Sequence, residues 1–195
     1  MSMMANDERR LDIAANRAAS KWSRKELAGR LLWELARPLF AWSPRPLWGW
    51  RRMLLRLFGA QIGSEVHICP SVLITIPWNL TIGDQSAVGD RAILYALGPI
   101  TLAERVTISQ GAHLCAGTHD YRDPSMPLLK PPIVIERDAW ICADAFVGAR
   151  VRVGARAIVG ARCVVTKDVE PGAIVIGNPA RLLRQRGDGA EVEST

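Results

Sequence analysis

Aliphatic residues return at every sixth position through most of the chain. The series comprises Ile62, Ile68, Ile74, Ile82, Val88, Leu94, Ile100, Val106, Ala112, Ile135, Ile141, Val147, Val153, Val159 and Val165. Glycine directly follows six of its members, at positions 63, 83, 89, 148, 154 and 160. A period of six matches neither the repeat of an amphipathic helix nor the alternation of a half-buried strand. It fits a short strand and a tight turn, with the aliphatic side chain inward and glycine supplying a backbone conformation that other residues resist.

Three such units would close one triangular coil of about eighteen residues, and stacked coils would bury a continuous aliphatic column. We therefore predict a mainly β fold in which residues 61–178 form a parallel β-helix solenoid. A β-sandwich is disfavoured, because it needs turn signals roughly every eight to twelve residues and Asn-Gly or Asp-Gly hairpins. Residues 61–178 show neither pattern.

Two segments interrupt the period. The step from Ile74 to Ile82 is eight residues, which predicts a small bulge near Pro77, Trp78 and Asn79. The larger break, residues 118–134, reads THDYRDPSMPLLKPPIV and contains four prolines. Because solenoids extrude insertions and long ordered loops are more often functional than idle, we predict a functional loop here.

The first sixty residues differ from the rest of the chain in charge and composition. They hold twelve Lys and Arg against five Asp and Glu, whereas residues 61–195 hold thirteen against fourteen. Five of the seven tryptophans, at positions 22, 33, 42, 48 and 50, also lie here. Prolines at 38, 44 and 46 predict two short helical pieces between Leu27 and Phe58. We predict a separate basic, tryptophan-rich helical segment over residues 1–60.

Two interpretations of this segment remain open. Aromatic rings interleaved with basic residues over 21–58 suit the headgroup region of an anionic membrane surface. Alternatively, the helices cap the open first coil, as every solenoid end requires. Nucleic-acid binding is disfavoured because no matching fold motif accompanies the charge. Charged residues also interrupt the most apolar stretch, 27–50, which excludes a transmembrane helix there.

The four cysteines stand singly, at positions 69, 115, 142 and 163, and form no Cys-x-x-Cys pair. The first ten residues are polar and no uninterrupted apolar run follows them. A disulfide scaffold and a zinc ribbon are therefore both disfavoured, and we expect a cytoplasmic protein.

These motifs resemble those of the hexapeptide-repeat (left-handed β-helix) acyltransferases. Within that superfamily the chain is most similar to the colanic-acid and exopolysaccharide biosynthesis acetyltransferases. The matching segments, within residues 43–186, read SPRPLWGWRRMLLRLFGAQIG, PWNLTIGD, ITLAERVTISQGAHLCAGTHDYRDPSMPL, IVIERDAWICADAFV and VVTKDVEPGAIVIGNPARLL. The resemblance implies a left-handed coil, a homotrimer with active sites between protomers, acetyl-CoA as acyl donor, and a sugar or glycolipid acceptor at the inner face of the plasma membrane. After residue 178 we predict a C-terminal helix and tail, 179–195.

Acetyl transfer to a hydroxyl needs a base for the hydroxyl proton, and imidazole is suited to that role near neutral pH. The resemblance assigns the base to His119, at the root of the extruded loop. Asp120, Tyr121 and His113 are the candidate acceptor-binding residues, with Arg122 a weaker one. We expect a surface position for His67.

A carbonic anhydrase class shares the fold that the resemblance implies and places three histidines around zinc. The separations between His67, His113 and His119 do not match whole coils, so no metal site is predicted. A nucleophilic role for Cys115 is also disfavoured, since a small residue at a coil corner explains it.

The resemblance places the acetyl-CoA pocket on six residues: Trp140, Ala143, Ala161, Lys167, Arg181 and Arg184. The alanines leave room for the pantetheine arm, and the cations match positions near the cofactor phosphates. The chain departs from the family at Cys142, where a smaller residue is usual. An acetyltransferase for a small soluble acceptor and a non-catalytic solenoid scaffold remain the alternatives.

Overall fold

The computed structural model describes residues 10–187, in which three mainly parallel sheets form the faces of a triangular prism. Face I contains β1 (Gln61–Ile62), β4 (Leu80–Ile82), β7 (Ile100–Leu102), β12 (Ile133–Ile135) and β15 (Arg152–Val153). Face II contains β2 (His67–Ile68), β5 (Ala87–Val88), β8 (Thr107–Ile108), β13 (Trp140–Ile141), β16 (Ile158–Val159), β18 (Ala173–Ile176) and β19 (Arg181–Gln185). Face III contains β3 (Leu73–Ile74), β6 (Ile93–Tyr95), β9 (His113–Cys115), β14 (Phe146–Val147) and β17 (Val164–Val165). The predicted mainly β solenoid is confirmed.

The core of the prism is the predicted aliphatic column. All fifteen positions of the six-residue series are buried, from Ile62 to Val165. Each strand pairs in parallel with its equivalent in the next coil, so that every inward side chain packs on the one above it. Stacking therefore buries a face that no single coil could cover alone.

The register of the column differs from the prediction over one coil, residues 100–114, in which each stacked residue lies two positions later than predicted. Ile82 lies twenty residues above Ile62, which confirms the predicted bulge, occupied by a short 3-10 helix at Pro77–Asn79. Leu102, rather than Ile100, lies above Ile82, so a second two-residue bulge at 96–99 was missed. Residues i and i+2 share a face of a strand, so a shift of the strand register by two residues still points apolar side chains inward. The hydrophobic pattern of the sequence therefore does not reveal such a shift.

The predicted reason for the repeated glycines was wrong. A Cβ on Gly83 would lie 2.6 Å from the backbone of Ala103 in the next coil, and one on Gly89 would lie 2.8 Å from the backbone of Gln110. These glycines are therefore required for close approach of stacked backbones. The left-handed conformation falls two residues later, for example at Gln85 (φ 58°).

Within the described residues, three helices precede the solenoid: α1 (Ile13–Ala18), α2 (Arg24–Ala41) and α3 (Trp48–Leu57). Trp33 and Phe40 of α2 and Leu54 and Leu55 of α3 are buried in the same core as the first coil. The indole Nε1 of Trp33 also donates a 2.8 Å hydrogen bond to the carbonyl of Ile74. The helices therefore cap the open end of the solenoid, as one of the two interpretations predicted.

The predicted break at Pro38 is wrong, because α2 continues through this proline to Ala41. Burial of Phe40 against Trp33, with ring centroids 6.1 Å apart, holds the last turn in place. The chain breaks instead at Pro44–Pro46. Among the described helices, none combines the length and apolar character needed to cross a membrane.

The predicted C-terminal helix is also wrong for the described residues, since 181–185 form β19. This strand pairs antiparallel with β18, the last parallel strand of face II. An unpaired edge would leave the backbone groups of β18 without partners, and this pairing outweighs the helical tendency of the segment RLLRQ.

The predicted extruded loop is a β-hairpin. Its strands, β10 (Thr118–His119) and β11 (Leu128–Leu129), pair antiparallel outside the prism. The loop ends slightly earlier than predicted, because Ile133 and Val134 already belong to β12 of face I. The hairpin therefore leaves the solenoid at the corner between faces III and I.

Candidate active site

The hairpin holds His119 in a defined orientation. Nδ1 of the exposed His119 lies 2.6 Å from the backbone carbonyl of Met126, across the hairpin. A carbonyl oxygen only accepts hydrogen bonds, so Nδ1 carries the proton and Nε2 presents its lone pair. This is the tautomer that a general base requires at Nε2.

The tip of the hairpin is a turn stabilised by Asp123. Its Oδ1 accepts 2.8 Å hydrogen bonds from the backbone N–H and the hydroxyl of Ser125. These hydrogen bonds hold the pKa of Asp123 below its usual value, so the carboxylate stays ionised at neutral pH. The backbone N–H of Met126 donates to the carbonyl of Asp123 at 2.8 Å, which completes the turn.

The neighbouring candidates make contacts of their own near the tip of the hairpin. Oδ1 of Asp120 accepts a 3.1 Å hydrogen bond from the backbone N–H of Arg122. Tyr121 is 77% exposed, and the guanidinium of Arg122 lies 5.8 Å from its ring centroid. The partner of the His119 ring is thus the Met126 carbonyl rather than Asp120. Sequence reasoning missed it because a backbone acceptor carries no side-chain signature.

His113 lies on face III between two aromatic rings. Its centroid is 6.3 Å from that of Tyr95 and 5.4 Å from that of Phe146. Burial lowers the pKa of His113, and within residues 10–187 its Nε2 has no hydrogen-bond partner. A role for His113 toward the acceptor stays a prediction.

The remaining histidine, His67, is exposed as predicted and stacks on Trp48 with centroids 4.7 Å apart. In the part of the chain that the structure describes, no three His, Cys, Asp or Glu side chains cluster as metal ligands would.

Three of the predicted donor-pocket residues lie on or beside face II. Trp140 is 45% exposed, and its indole Nε1 donates a 2.8 Å hydrogen bond to the hydroxyl of Ser109. Ala143 and the exposed Ala161 occupy the same corner, between faces II and III, in consecutive coils. Cys142 beside them is half-buried, and this burial raises the pKa of its thiol. The corner therefore presents a strip of backbone at the two alanines, flanked by an ion pair between Asp144 and Arg162, whose side chains lie 3.8 Å apart.

The predicted cations lie at the C-terminal end of the prism. Lys167 and Arg181 both line a cleft of about 430 Å³ between the last coil and β19. Arg184 does not line this cleft; it lies in β19 opposite Ile174. Two of the three predicted phosphate ligands are thus brought together.

The predicted base and the predicted donor strip lie at different corners of one chain. The hairpin of His119 leaves at the corner between faces III and I, whereas Ala161 lies at the corner between faces II and III. Successive corners are one repeat apart, up to roughly 20 Å of extended chain. Face III lies between the two corners. Within a single chain His119 and the strip at Ala143 and Ala161 therefore lie at different corners of the prism.

Comparisons with known proteins agree with this architecture. The chain is 45% identical over 157 residues to "Putative colanic acid biosynthesis acetyltransferase WcaF" of Escherichia coli K12, covering 80% of this chain and 86% of that protein. A hexapeptide-repeat acetyltransferase from Vibrio cholerae superimposes with a TM-score of 0.78 at 28% identity, over 85% of this chain and 95% of that one. That acetyltransferase has also been solved complexed with acetyl-CoA, with a TM-score of 0.78 over 87% of this chain and 93% of that one. No family model matches the chain.

The stacked coils, the extruded histidine hairpin and the sequence identity over most of both chains agree on one assignment. The chain belongs to the hexapeptide-repeat acetyltransferases, in the family of the colanic acid acetyltransferase WcaF.

Proposed function

We propose that this chain transfers an acetyl group from acetyl-CoA to a sugar hydroxyl in exopolysaccharide biosynthesis of the colanic-acid type, with His119 as the general base. The observation that carries the proposal is the contact between Nδ1 of His119 and the Met126 carbonyl, which leaves the Nε2 lone pair free on an exposed ring. The 45% identity to WcaF supports the acceptor class.

In the proposed reaction Nε2 of His119 accepts the proton of the sugar hydroxyl as its oxygen attacks the thioester carbon. When the carbon–sulfur bond breaks, the imidazolium returns this proton to the departing sulfur. Nδ1 keeps its own proton throughout, because the Met126 carbonyl oxygen that faces it can only accept a hydrogen bond. The imidazole is therefore regenerated after each turnover.

We assign the phosphates of acetyl-CoA to the cleft at Lys167 and Arg181, because charge-assisted hydrogen bonds favour cations around phosphate. The acetyl-CoA complex of the Vibrio cholerae relative supports this donor. Calorimetry of the full chain with acetyl-CoA, followed by detection of free CoA and product mass across candidate sugars, tests the function. A Lys167→Ala/Arg181→Ala double variant should bind acetyl-CoA at least about tenfold more weakly, whereas Lys25→Ala, on the remote helix α2, should not.

The two alternative functions predict other outcomes of the same assay. A non-catalytic scaffold would bind no acetyl-CoA and release no CoA. An acetyltransferase for soluble acceptors would acetylate free sugars or xenobiotics and ignore lipid-linked sugars. Acetylation of a lipid-linked or polymer-derived sugar in preference to these small acceptors supports the proposal.

We propose that the active site is completed by a second copy of the chain in a homotrimer. His119 and Ala161 lie at different corners of one prism, so a neighbouring protomer must supply the missing side of the site. Co-expression of differently tagged His119→Ala and Ala161→Trp chains tests this arrangement. Each variant alone should be inactive, since the indole fills the strip that the pantetheine arm needs.

Mixed trimers should recover activity, because some interfaces pair an intact His119 with an intact strip. Random assembly at equal amounts would restore about a quarter of the sites. Activity is measured on isolated trimers that carry both tags. Sedimentation confirms, as the control, that these assemblies are trimers. Doubly tagged trimers without activity would place the whole site in one protomer and reject the proposal.

We also propose that the chain works at the cytoplasmic face of an anionic membrane, which its N-terminal helices contact. The face of α2 opposite the core is an exposed apolar ridge: Leu27 (51%), Leu31 (63%), Leu35 (70%), Leu39 (57%) and Trp42 (84%). Indole Nε1 of Trp50 donates to the Leu39 carbonyl at 2.9 Å, which joins the ridge to α3. Four basic residues of α2 outnumber its two acidic ones, and this balance fits an anionic lipid surface.

Flotation of the full chain with phosphatidylglycerol-rich vesicles tests this contact. A Leu31→Ser/Leu35→Ser variant should float at least about fivefold less, because two exposed leucines no longer enter the lipid. The matched control is Leu182→Ser/Leu183→Ser, which alters two exposed leucines of β19 at the other end of the prism. Unchanged flotation together with altered trimer sedimentation would show that the ridge packs against another protomer, and the membrane proposal would fail.

A further inference from the structure

The N-terminal helix α1 contacts the hairpin that carries His119. The side-chain amide Nδ2 of Asn16 donates to the backbone carbonyls of Ser125, at 2.6 Å, and Met126, at 2.7 Å. The second of these carbonyls is the one that lies 2.6 Å from Nδ1 of His119. One carbonyl oxygen thus joins the amide of α1 to the imidazole, although Asn16 and Met126 are 110 positions apart in sequence.

Asn16 is itself fixed in orientation. Because both hairpin partners are carbonyls, the NH2 group must face them and Oδ1 must face away. Oδ1 accepts a 2.9 Å hydrogen bond from Nζ of Lys21, so both ends of the half-buried amide are engaged. A flipped amide would lose these hydrogen bonds, so the side chain of Asn16 is held in one orientation.

The backbone at Met126 needs such support. Its φ is 45°, in the left-handed region that residues with a side chain adopt only when their surroundings hold them there. The direction of its carbonyl depends on that conformation. An external donor on the carbonyl therefore contributes to where the His119 ring can point.

A second contact holds the other end of the hairpin to the same segment. Nζ of Lys130 lies 3.5 Å from the ring centroid of Trp22 and donates a 2.8 Å hydrogen bond to the Lys21 carbonyl. The guanidinium of Arg30 lies 4.3 Å from the same ring. Residues 12–22 therefore contact the hairpin at its tip, at Ser125 and Met126, and at its root, at Lys130.

We infer that Asn16 is a positioning residue for His119, acting through the Met126 carbonyl, and that the N-terminal segment preorganises the catalytic hairpin. The inference rests on the proposed role of His119 as base. It gives the segment a part in the chemical step in addition to capping the solenoid.

The test compares the steady-state kinetics of Asn16→Ala and Asn16→Asp with those of Arg17→Ala, an exposed neighbour in α1. Removing the Asn16 amide should lower kcat about ten- to hundredfold with little change in the KM for acetyl-CoA, because a misplaced base slows the chemical step without altering donor binding. Asn16→Asp keeps the shape but places carboxylate oxygens against the carbonyls, so it should be impaired equally. Arg17→Ala should match the wild type.

Two further readouts separate positioning from general damage. Nitrogen-15 spectra of the imidazoles should show the Nδ1–H tautomer of His119 in the wild type and a shift toward Nε2–H in Asn16→Ala. In a His119→Ala background, adding Asn16→Ala should cause no further loss, because the two residues act as one unit. A kcat within twofold of wild type, an unchanged tautomer, or losses that multiply would each overturn the inference. An active His119→Ala enzyme would instead overturn the proposed base.

Discussion

Replacing His119 with alanine is expected to lower kcat at least about a hundredfold at saturating acetyl-CoA and acceptor, the low end for loss of a general base. The exposed ring is held by one hydrogen bond from Nδ1 to the Met126 carbonyl, so alanine removes a base without opening a cavity in the core. The KM for acetyl-CoA should hardly change, because a general base acts on the hydroxyl proton in the chemical step and does not hold the donor. Steady-state assays of CoA release measure both constants.

Two controls make this result specific to the base. His67→Ala removes an exposed histidine that stacks on Trp48 in the first coil, and its kcat should stay within about twofold of wild type. Calorimetry should show that His119→Ala still binds acetyl-CoA normally. A His119→Ala enzyme with a kcat within a few-fold of wild type would remove this residue from the role of base.

Replacing Arg51 with methionine is expected to destabilise the fold by about 3–5 kcal/mol. Arg51 of α3 is 0% exposed and donates four hydrogen bonds, to Ile68, Ser43, Pro44 and Arg45, at 2.6, 2.7, 2.9 and 2.6 Å. Methionine fills most of the volume of the arginine side chain, but it leaves the four acceptor oxygens without their hydrogen-bond donor in the interior. Thermal unfolding should show a midpoint lower by roughly 10 °C for a chain of this size.

The matched control is Arg52→Met, one residue along the same helix. Arg52 is half-buried and donates one 3.0 Å hydrogen bond, to the Val66 carbonyl, so its loss should cost about 1 kcal/mol. Equal midpoints for the two variants would show that the Arg51 network does not hold the cap onto the first coil. Both variants should keep the spectrum of a β-solenoid, since the aliphatic column is untouched.

The sequence predicted those parts of the fold that depend on residues close together in the chain. The prism was predictable because each six-residue repeat supplies its own buried aliphatic residue, as Ile141 and Val147 show, and the same pattern recurs in every coil. The failures arose where a partner distant in sequence decided the outcome. Residues 181–185 became a strand because the edge of β18 needed a partner, and Pro38 stayed within α2 because Phe40 is anchored in the core.

The candidate site divides in the same way. The position of His119 at the root of an extruded loop followed from the break in the period, and Lys167 and Arg181 do line one cleft. The Met126 carbonyl and the Asn16 amide were out of reach of sequence reasoning, because a backbone acceptor has no signature and the two lie 110 positions apart.

By itself, the sequence determined the triangular coil, the basic helical segment ahead of it and the extruded loop that carries His119, because a six-residue repeat and its interruptions act within a few neighbouring residues. Only the tertiary structure decided the register of the coils, the strand that closes the last one and the tautomer of His119. The physical reason is that each of these depends on hydrogen bonds or packing between backbone segments that meet only after the solenoid has been wound.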